Sequence, residues 1–169
     1  CDLYKSYPGC FLDDSRFQYR YKKKCFTGVP NLTIVTPSQW LADLVKQSYL
    51  KDYNTVVINN GIDLTKFQPR SSDFRAKYGL ENKILILGVA FDWTPKKGLD
   101  DFKRLDEDLP EEYAIVLVGV SDTVAKTLPD RIISIACTQN QEELAEIYSA
   151  ADIFVNPTWE DNFPTVNLE

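Results

Sequence analysis

Short, almost wholly apolar runs that alternate with amphipathic stretches constrain this chain most. Residues 84–89 (Ile-Leu-Ile-Leu-Gly-Val), 114–119 (Ala-Ile-Val-Leu-Val-Gly), 132–137 (Ile-Ile-Ser-Ile-Ala-Cys) and 153–155 (Ile-Phe-Val) are too short for buried helices and are apolar at every position parity. A strand that is apolar on both faces must be covered on both faces, which is the condition of a parallel sheet with crossover helices. The intervening segments supply those helices. In 99–109, Leu99, Phe102, Leu105 and Leu109 share one face and Arg104 points outward. In 142–151, Leu144, Ile147, Tyr148 and Ala151 do the same. A shorter helix is predicted around 123–128, and another over 73–80. The fold class is therefore α/β, a Rossmann-like parallel sheet with helices on both faces.

Upstream the same grammar is looser. Residues 32–36 read as a buried strand. Ser38 is placed to cap a helix carrying Trp40, Leu41, Leu44 and Val45 on one face, and 56–58 form a further strand ended by Asn59-Asn60-Gly61. Gly61 suits a positive φ, with Asp63 or Thr65 starting the next turn. The pattern puts a domain boundary between Ile58 and Ile84. Right-handed crossovers place loops 89–98, 119–123, 137–141 and 156–164 on one edge of the sheet, where open α/β sheets bind ligands.

Composition narrows the function classes. The net charge of −6 is unevenly spread. Residues 1–50 carry seven Lys/Arg against four Asp/Glu, a surplus of +3, while 51–169 carry twelve against twenty-one, a deficit of −9. An acidic bulk argues against nucleic acid as a partner. The basic residues Arg16, Arg20, Lys22, Lys23 and Lys24 are interleaved with Phe17, Tyr19 and Tyr21. Segment 16–24 has a solvated helix face as its default reading and peripheral contact with an anionic membrane as its alternative. No apolar run approaches the roughly 20 residues that span a bilayer. Cysteines at 1, 10, 25 and 137 show neither zinc-knuckle pairing nor disulfide-scaffold density, and no metal site is expected. Cys137, at the end of an apolar run, is expected to be a small buried side chain. Histidine and methionine are absent. The chain starts at Cys1 and stops inside a patterned segment, so it is expected to be an internal piece of a longer polypeptide.

Two rim segments carry residues suited to chemistry. In 91–98 (Phe-Asp-Trp-Thr-Pro-Lys-Lys-Gly), Lys97 precedes Gly98 at a helix start, where exposed N–H groups and the helix dipole favour an anion. A solvated lysine is the default there. In 160–169 (Glu-Asp-Asn-Phe-Pro-Thr-Val-Asn-Leu-Glu), an acidic pair follows a strand and Pro164 suits the first turn of a helix. Glu160 or Asp161 can accept from ligand hydroxyls, and the amides near Phe163 to Val166 can donate. Glu169, about 8 Å along the predicted helix, can grip two vicinal hydroxyls as a ribose presents them. Simple complementation of the helix dipole is an equal reading of these acids. Trp93 and Trp159 either wall a pocket or pack. Asp152 reads as a structural cap.

Several of these features stand in a familiar order. They are Val35-Thr36-Pro37-Ser38, then 57–63 (Val-Ile-Asn-Asn-Gly-Ile-Asp) leading to Phe67 and Pro69, then 96–100 (Lys-Lys-Gly-Leu-Asp), then 148–157, then the acidic segment. From about Leu32 to Glu169 the chain resembles the retaining glycosyltransferases of the family 4 type, which have the GT-B fold. The acidic segment is similar to the form in bacterial enzymes that build capsular polysaccharide or exopolysaccharide.

The resemblance implies two Rossmann-like domains facing a cleft: 1–55 as the C-terminal part of the acceptor domain, and 56–169 as an incomplete nucleotide-sugar-binding domain. Lys97 would neutralise the leaving diphosphate and Asp161 would touch the donor sugar, these two being the catalytic candidates. Glu169 would hold ribose, with Lys96, Glu160, Asn162, Phe163 and Thr165 completing the donor site and loop 137–138 near the base. The implied activity is that of a hexosyltransferase, cytoplasmic or peripheral at the inner face of the membrane. The donor is a nucleoside-diphosphate sugar and the acceptor a saccharide or lipid-linked acceptor. Fixed charge from lysine implies neither metal nor further cofactor. There are departures. The family's arginine after the first strand of this domain is missing from Val89-Ala90-Phe91-Asp92-Trp93, so either Lys96 shares its role or nothing does. Two acids, Glu160 and Asp161, stand where one glutamate is usual, and the family's N-terminal-domain histidine has no counterpart. The isolated piece is expected to be inactive. Rival readings are a non-catalytic flavodoxin-like or receiver-like module, and another GT-B enzyme such as a phosphorylase or epimerase.

Overall fold

Residues 12–169 are described by the computed structural model, so Cys1 and Cys10 lie outside the described residues. Its contacts divide the chain into two units that meet in sequence at Asn59 and Asn60. Val56 and Val57 pair with Val35 and Thr36, and so belong to the first unit's sheet.

In the first unit, helix α1 (Ser15–Phe26) precedes a strand–helix–strand motif of β1 (Thr33–Thr36), α2 (Gln39–Lys46) and β2 (Asn54–Val57). The two strands are parallel, in register from Thr33↔Asn54 to Thr36↔Val57. Ser38 caps α2 as expected: its hydroxyl accepts from the Leu41 N–H at 3.2 Å, satisfying one of the donors that a helix start leaves open. The strand was expected to be buried, yet Val35 is 57% exposed. Two strands and one helix cover one face only. Trp40 and Leu44 are likewise exposed, and Ala42 is the residue of α2 that packs inside.

The second unit begins with an Asx turn, where the Asp63 carboxylate accepts from both the N–H and the hydroxyl of Thr65. Helix α3 (Phe74–Tyr78) follows and ends on Gly79 in the left-handed region. Then come β3 (Ile84–Val89), α4 (Leu99–Asp108), β4 (Tyr113–Val118), α5 (Asp122–Ala125), β5 (Ile132–Ile135), α6 (Gln141–Ala150) and β6 (Ile153–Phe154). The four strands form one parallel sheet in the order β5-β4-β3-β6.

Period-two alternation sorts the strand side chains onto two cores. Leu85, Leu87, Ala114, Val116 and Val118 pack with Phe74, Leu80, Ile147 and Ala150 on one face. Ile86, Ile115 and Leu117 pack with Leu99, Phe102, Val120 and Ile132 on the other. Each fully buried aliphatic side chain contributes on the order of 1.5–3 kcal/mol, so the doubly covered sheet expected from the apolar runs is what holds this unit together.

One expectation fails at a strand end. Strand β5 stops at Ile135, whose carbonyl accepts from the N–H groups of both Gly119 and Val120. Cys137 therefore lies beyond the sheet and is exposed, not buried. Of the two readings of Trp93, packing holds: it is 3% exposed, its Nε1–H donates to the Val118 carbonyl at 2.9 Å, and its ring meets Phe102 edge-on.

The strand order decides where a ligand can sit. The chain steps from β3 to β4 to β5 in one direction and then returns to add β6 on the far side of β3. The loops leaving the carboxyl ends of β3 and β6 therefore diverge from adjacent strands, which opens a crevice at the switch point.

Candidate functional site

Loop 89–98 and loop 155–164 meet over that crevice, and glycine makes the meeting close. Pro95–Lys97 form one 3₁₀ turn ending on Gly98, whose φ is +81°. A Cβ at 98 would stand 2.3 Å from Pro157 Cγ. With no side chain there, the two loops touch, and the Trp159 N–H donates to the Lys96 carbonyl at 3.0 Å.

This contact aims Lys97 at the acidic segment. Lys97 Nζ donates to Asp161 Oδ2 at 2.9 Å. Asp161 Oδ1 accepts from the Phe163 N–H at 3.2 Å, which fixes the carboxylate in an Asx turn. The Lys97 ammonium, with help from that amide, holds the Asp161 carboxyl below the usual carboxylate range against the opposing effect of burial. Asp161 is therefore an acceptor at neutral pH. Both side chains stay partly exposed, 37% and 29%, so the pair can open without a large penalty.

A hollow of about 540 Å³ lies over this pair. Loop 89–98 contributes Phe91, Asp92, Thr94 and Lys97; the segment after β6 contributes Asn156, Thr158, Asp161, Phe163 and Thr165; Asn60 closes one side. The hollow thus presents one cation, two carboxylates, several neutral hydrogen-bonding groups and two aromatic rings, a set suited to an anionic group joined to hydroxyls. Among the described residues no group of three or more Cys, Asp or Glu is arranged to hold a metal ion.

Of the residues singled out in sequence, the structure brings Lys97, Asp161, Phe163 and Thr165 into this hollow. Lys96 contributes its carbonyl to the loop contact, while Glu160 and Asn162 are exposed and outside the lining. Glu169 is elsewhere. Its Oε2 accepts from the Tyr148 hydroxyl at 3.0 Å, and it lines a second hollow with Phe67, Gln68, Pro69, Arg70, Ala145 and Ser149. Burial pushes the Glu169 carboxyl up, opposed by the Tyr148 hydroxyl, and burial with the Glu169 charge pushes the Tyr148 phenol well above its ordinary value. The helix expected after Pro164 is a single 3₁₀ turn, Thr165–Asn167, with Pro164 just outside it. The expected spacing along an α-helix therefore does not apply to Glu169.

Asn156 escaped the sequence reading as a site residue. Its Nδ2 donates to Asn167 Oδ1 at 2.8 Å and its Oδ1 accepts from the Thr158 N–H at 3.3 Å, so it ties the end of β6 to the 3₁₀ turn beyond the hollow. An asparagine right after a strand that ends on the rim was the available signal.

No family model matches the chain. It is 28% identical over 165 residues to the alpha-galactosylglucosyldiacylglycerol synthase of Streptococcus pneumoniae, covering 89% of this chain and 43% of that protein. It is 30% identical over 125 residues to the D-inositol 3-phosphate glycosyltransferase of Mycolicibacterium smegmatis, covering 67% of this chain and 29% of that protein. Among solved structures it superposes on sucrose-phosphate synthase from Thermosynechococcus elongatus with a TM-score of 0.70 at 21% identity, over 93% of this chain and 43% of that one. It also superposes on Anabaena HepE in complex with UDP-glucose with a TM-score of 0.67 at 17% identity, over 88% and 44%. The chain thus spans under half the length of these proteins. The fold is the α/β architecture of GT-B glycosyltransferases, present in part. These relatives and neighbours favour sugar transfer over a flavodoxin-like or receiver-like module.

Proposed function

We propose that this chain carries most of the donor-binding domain of a retaining hexosyltransferase, and that the parent protein moves a sugar from a nucleoside diphosphate onto a saccharide or lipid-linked acceptor in surface-polysaccharide synthesis. The family 4 type is part of this reading. The unit that ends at Asn59 belongs to the acceptor side and residues 60–169 to the donor side, a boundary a few residues later than the expected 55/56 because Val56 and Val57 pair with β1. The observation that carries it is the Lys97–Asp161 contact at the sheet's switch point, a cation and a hydroxyl-accepting carboxylate side by side over one hollow.

The two groups divide the work. As the bond from sugar C1 to the phosphate oxygen breaks, its electrons go to the departing diphosphate, while an acceptor hydroxyl oxygen forms the new bond to C1 and gives its proton to the departing phosphate. Lys97 is fixed where that negative charge grows, which lowers the barrier by electrostatic stabilisation. Asp161, released from Lys97 by the incoming diphosphate, accepts a hydrogen bond from a hydroxyl of the donor sugar. Phe163 and Thr165 shape the sugar side of the hollow, and Lys96 adds positive charge near the phosphates. Glu160 and Asn162 flank it, and Glu169 reaches the ribose once its bond to Tyr148 is exchanged. The reaction draws on no further cofactor in this reading.

The name of the pneumococcal relative includes a diacylglycerol lipid, which supports a lipid-linked acceptor; a place at the inner, cytoplasmic face of a membrane is part of the same proposal. Among the described residues no helix is long and apolar enough to cross one.

Thermal melting of the whole chain with UDP- and GDP-sugars tests the donor site. Saturating ligand raises the melting temperature by mass action, and Lys97→Glu abolishes the rise. A flat melting temperature with every nucleoside-diphosphate sugar at millimolar concentration counts against the assignment.

A further inference from the structure

Helix α1 has two sides, and they differ in chemistry. Tyr19 meets Tyr49 edge-on at 5.2 Å, which marks the side that faces the rest of its unit. Phe17, Tyr21 and Cys25 recur every fourth residue on the opposite side, about half a turn away from Tyr19. Phe17 and Tyr21 stack on each other at 6.1 Å and are 60% and 58% exposed. Arg16, Arg20 and Lys24 form a parallel stripe beside them at the same spacing, and Lys23 widens it. Among the described residues none of these cations is in an ion pair. No residue of α1 is buried.

We infer that this outer face of α1 docks on an anionic lipid surface, with the Arg16–Arg20–Lys24 stripe on the head groups and the Phe17–Tyr21 pair at the boundary of the acyl region. The inference deepens the membrane location proposed above and rests on it for its setting. Charge complementarity selects the occupant. Residues 51–169 are strongly acidic, so the α1 cations form a local patch against the overall sign. Aromatic rings between cations suit an interface that is polar above and apolar below. A helix lying in the plane of the surface needs nothing on that face to be covered by protein.

The test is co-sedimentation of the whole chain with vesicles of phosphatidylcholine alone and of phosphatidylcholine with 30 mol% phosphatidylglycerol, at low and high salt. The proposal expects binding to the anionic vesicles only, weakened by salt. Each basic residue near such a surface contributes roughly a fivefold gain in affinity, so Arg16→Gln, Arg20→Gln and Lys24→Gln together lower it on the order of a hundredfold. Phe17→Ser with Tyr21→Ser reduces binding while leaving its salt dependence. All five positions are exposed, and an unchanged melting temperature confirms that the variants fold. Five results overturn the proposal: no binding to anionic vesicles, equal binding to neutral ones, retention on RNA without vesicle binding, a dimer that the serine substitutions dissociate, or vesicle binding that the triple substitution leaves unchanged. Vesicle binding that survives the triple substitution keeps the membrane location and removes α1 as its contact. Loss of vesicle binding leaves nucleotide-sugar binding, read by melting, untouched.

Discussion

Lys97 and Asp161 are 64 residues apart in sequence, and their charged atoms lie 2.9 Å apart in the fold. The pair exists because β6 is hydrogen-bonded to β3, so the loops that leave those strands share one crevice. If the crevice is a diphosphate site, the two groups are separable by mutation. Lys97→Ala weakens nucleoside-diphosphate binding by roughly 1–3 kcal/mol, the cost of losing a charge-assisted hydrogen bond. It changes stability by less than about 1 kcal/mol, because the ion pair is open to solvent. Calorimetric titration and denaturant melts read the two quantities separately. A change in stability without a change in affinity would remove Lys97 from the site.

Gly98 controls how close the two loops come. Gly98→Ala puts a methyl group against Pro157 and an L side chain at a φ of +81°. The expected cost is about 1–3 kcal/mol. The Trp159–Lys96 hydrogen bond is strained or lost with it. The variant therefore loses nucleotide affinity beyond its loss in stability, which denaturant unfolding paired with a binding titration detects.

Asp152 anchors the start of β6 and sets part of the acid sensitivity. Its Oδ2 accepts from the Leu85 N–H at 2.8 Å and from Arg75 Nη2 at 2.6 Å. These two donors, the Leu85 amide first, lower its carboxyl below the usual range. A lowered folded-state pKa contributes stability above the unfolded value, and that stability is lost as pH falls through the folded value. Asp152→Asn should therefore destabilise by about 1 kcal/mol at pH 7, discounted for an exposed side chain. The deficit shrinks below about pH 4. Melting temperatures across pH 2–7 test it, and a constant deficit would contradict the assignment.

Glu169 has the opposite sign. Burial raises its carboxyl in the folded chain, so the ionised form opposes folding. The stability associated with its protonation is complete below the unfolded pKa and is lost as pH rises through the folded one. Glu169→Gln keeps an acceptor for Tyr148 and removes the charge. It should raise the melting temperature at pH 7 and make no difference near pH 3. Tyr148→Phe, which removes the donor, lowers stability by about 1 kcal/mol at either pH.

Local chemistry alone determined much of this protein. Apolar runs such as Ile84–Val89 must be covered on both faces, so the parallel sheet and its flanking helices were readable from periodicity. Ser38 was readable as a cap because its bond to Leu41 spans three residues. Lys97 and Asp161 could be named as rim residues, since crossover handedness puts both loops on one edge. What only the tertiary structure decided depends on neighbours far away in sequence. Trp93 became core because a carbonyl of β4 stood ready for its indole N–H. Cys137 fell outside the sheet because pairing with β4 ended two residues before it, at Ile135. Val35 stayed exposed because, among the described residues, its sheet has two strands. Glu169 turned toward Tyr148 because a 3₁₀ turn replaced the predicted helix. Periodicity states how much apolar surface an element must hide; which partner hides it, and which charges are then left facing one another, is fixed by strand order and by contacts between distant segments.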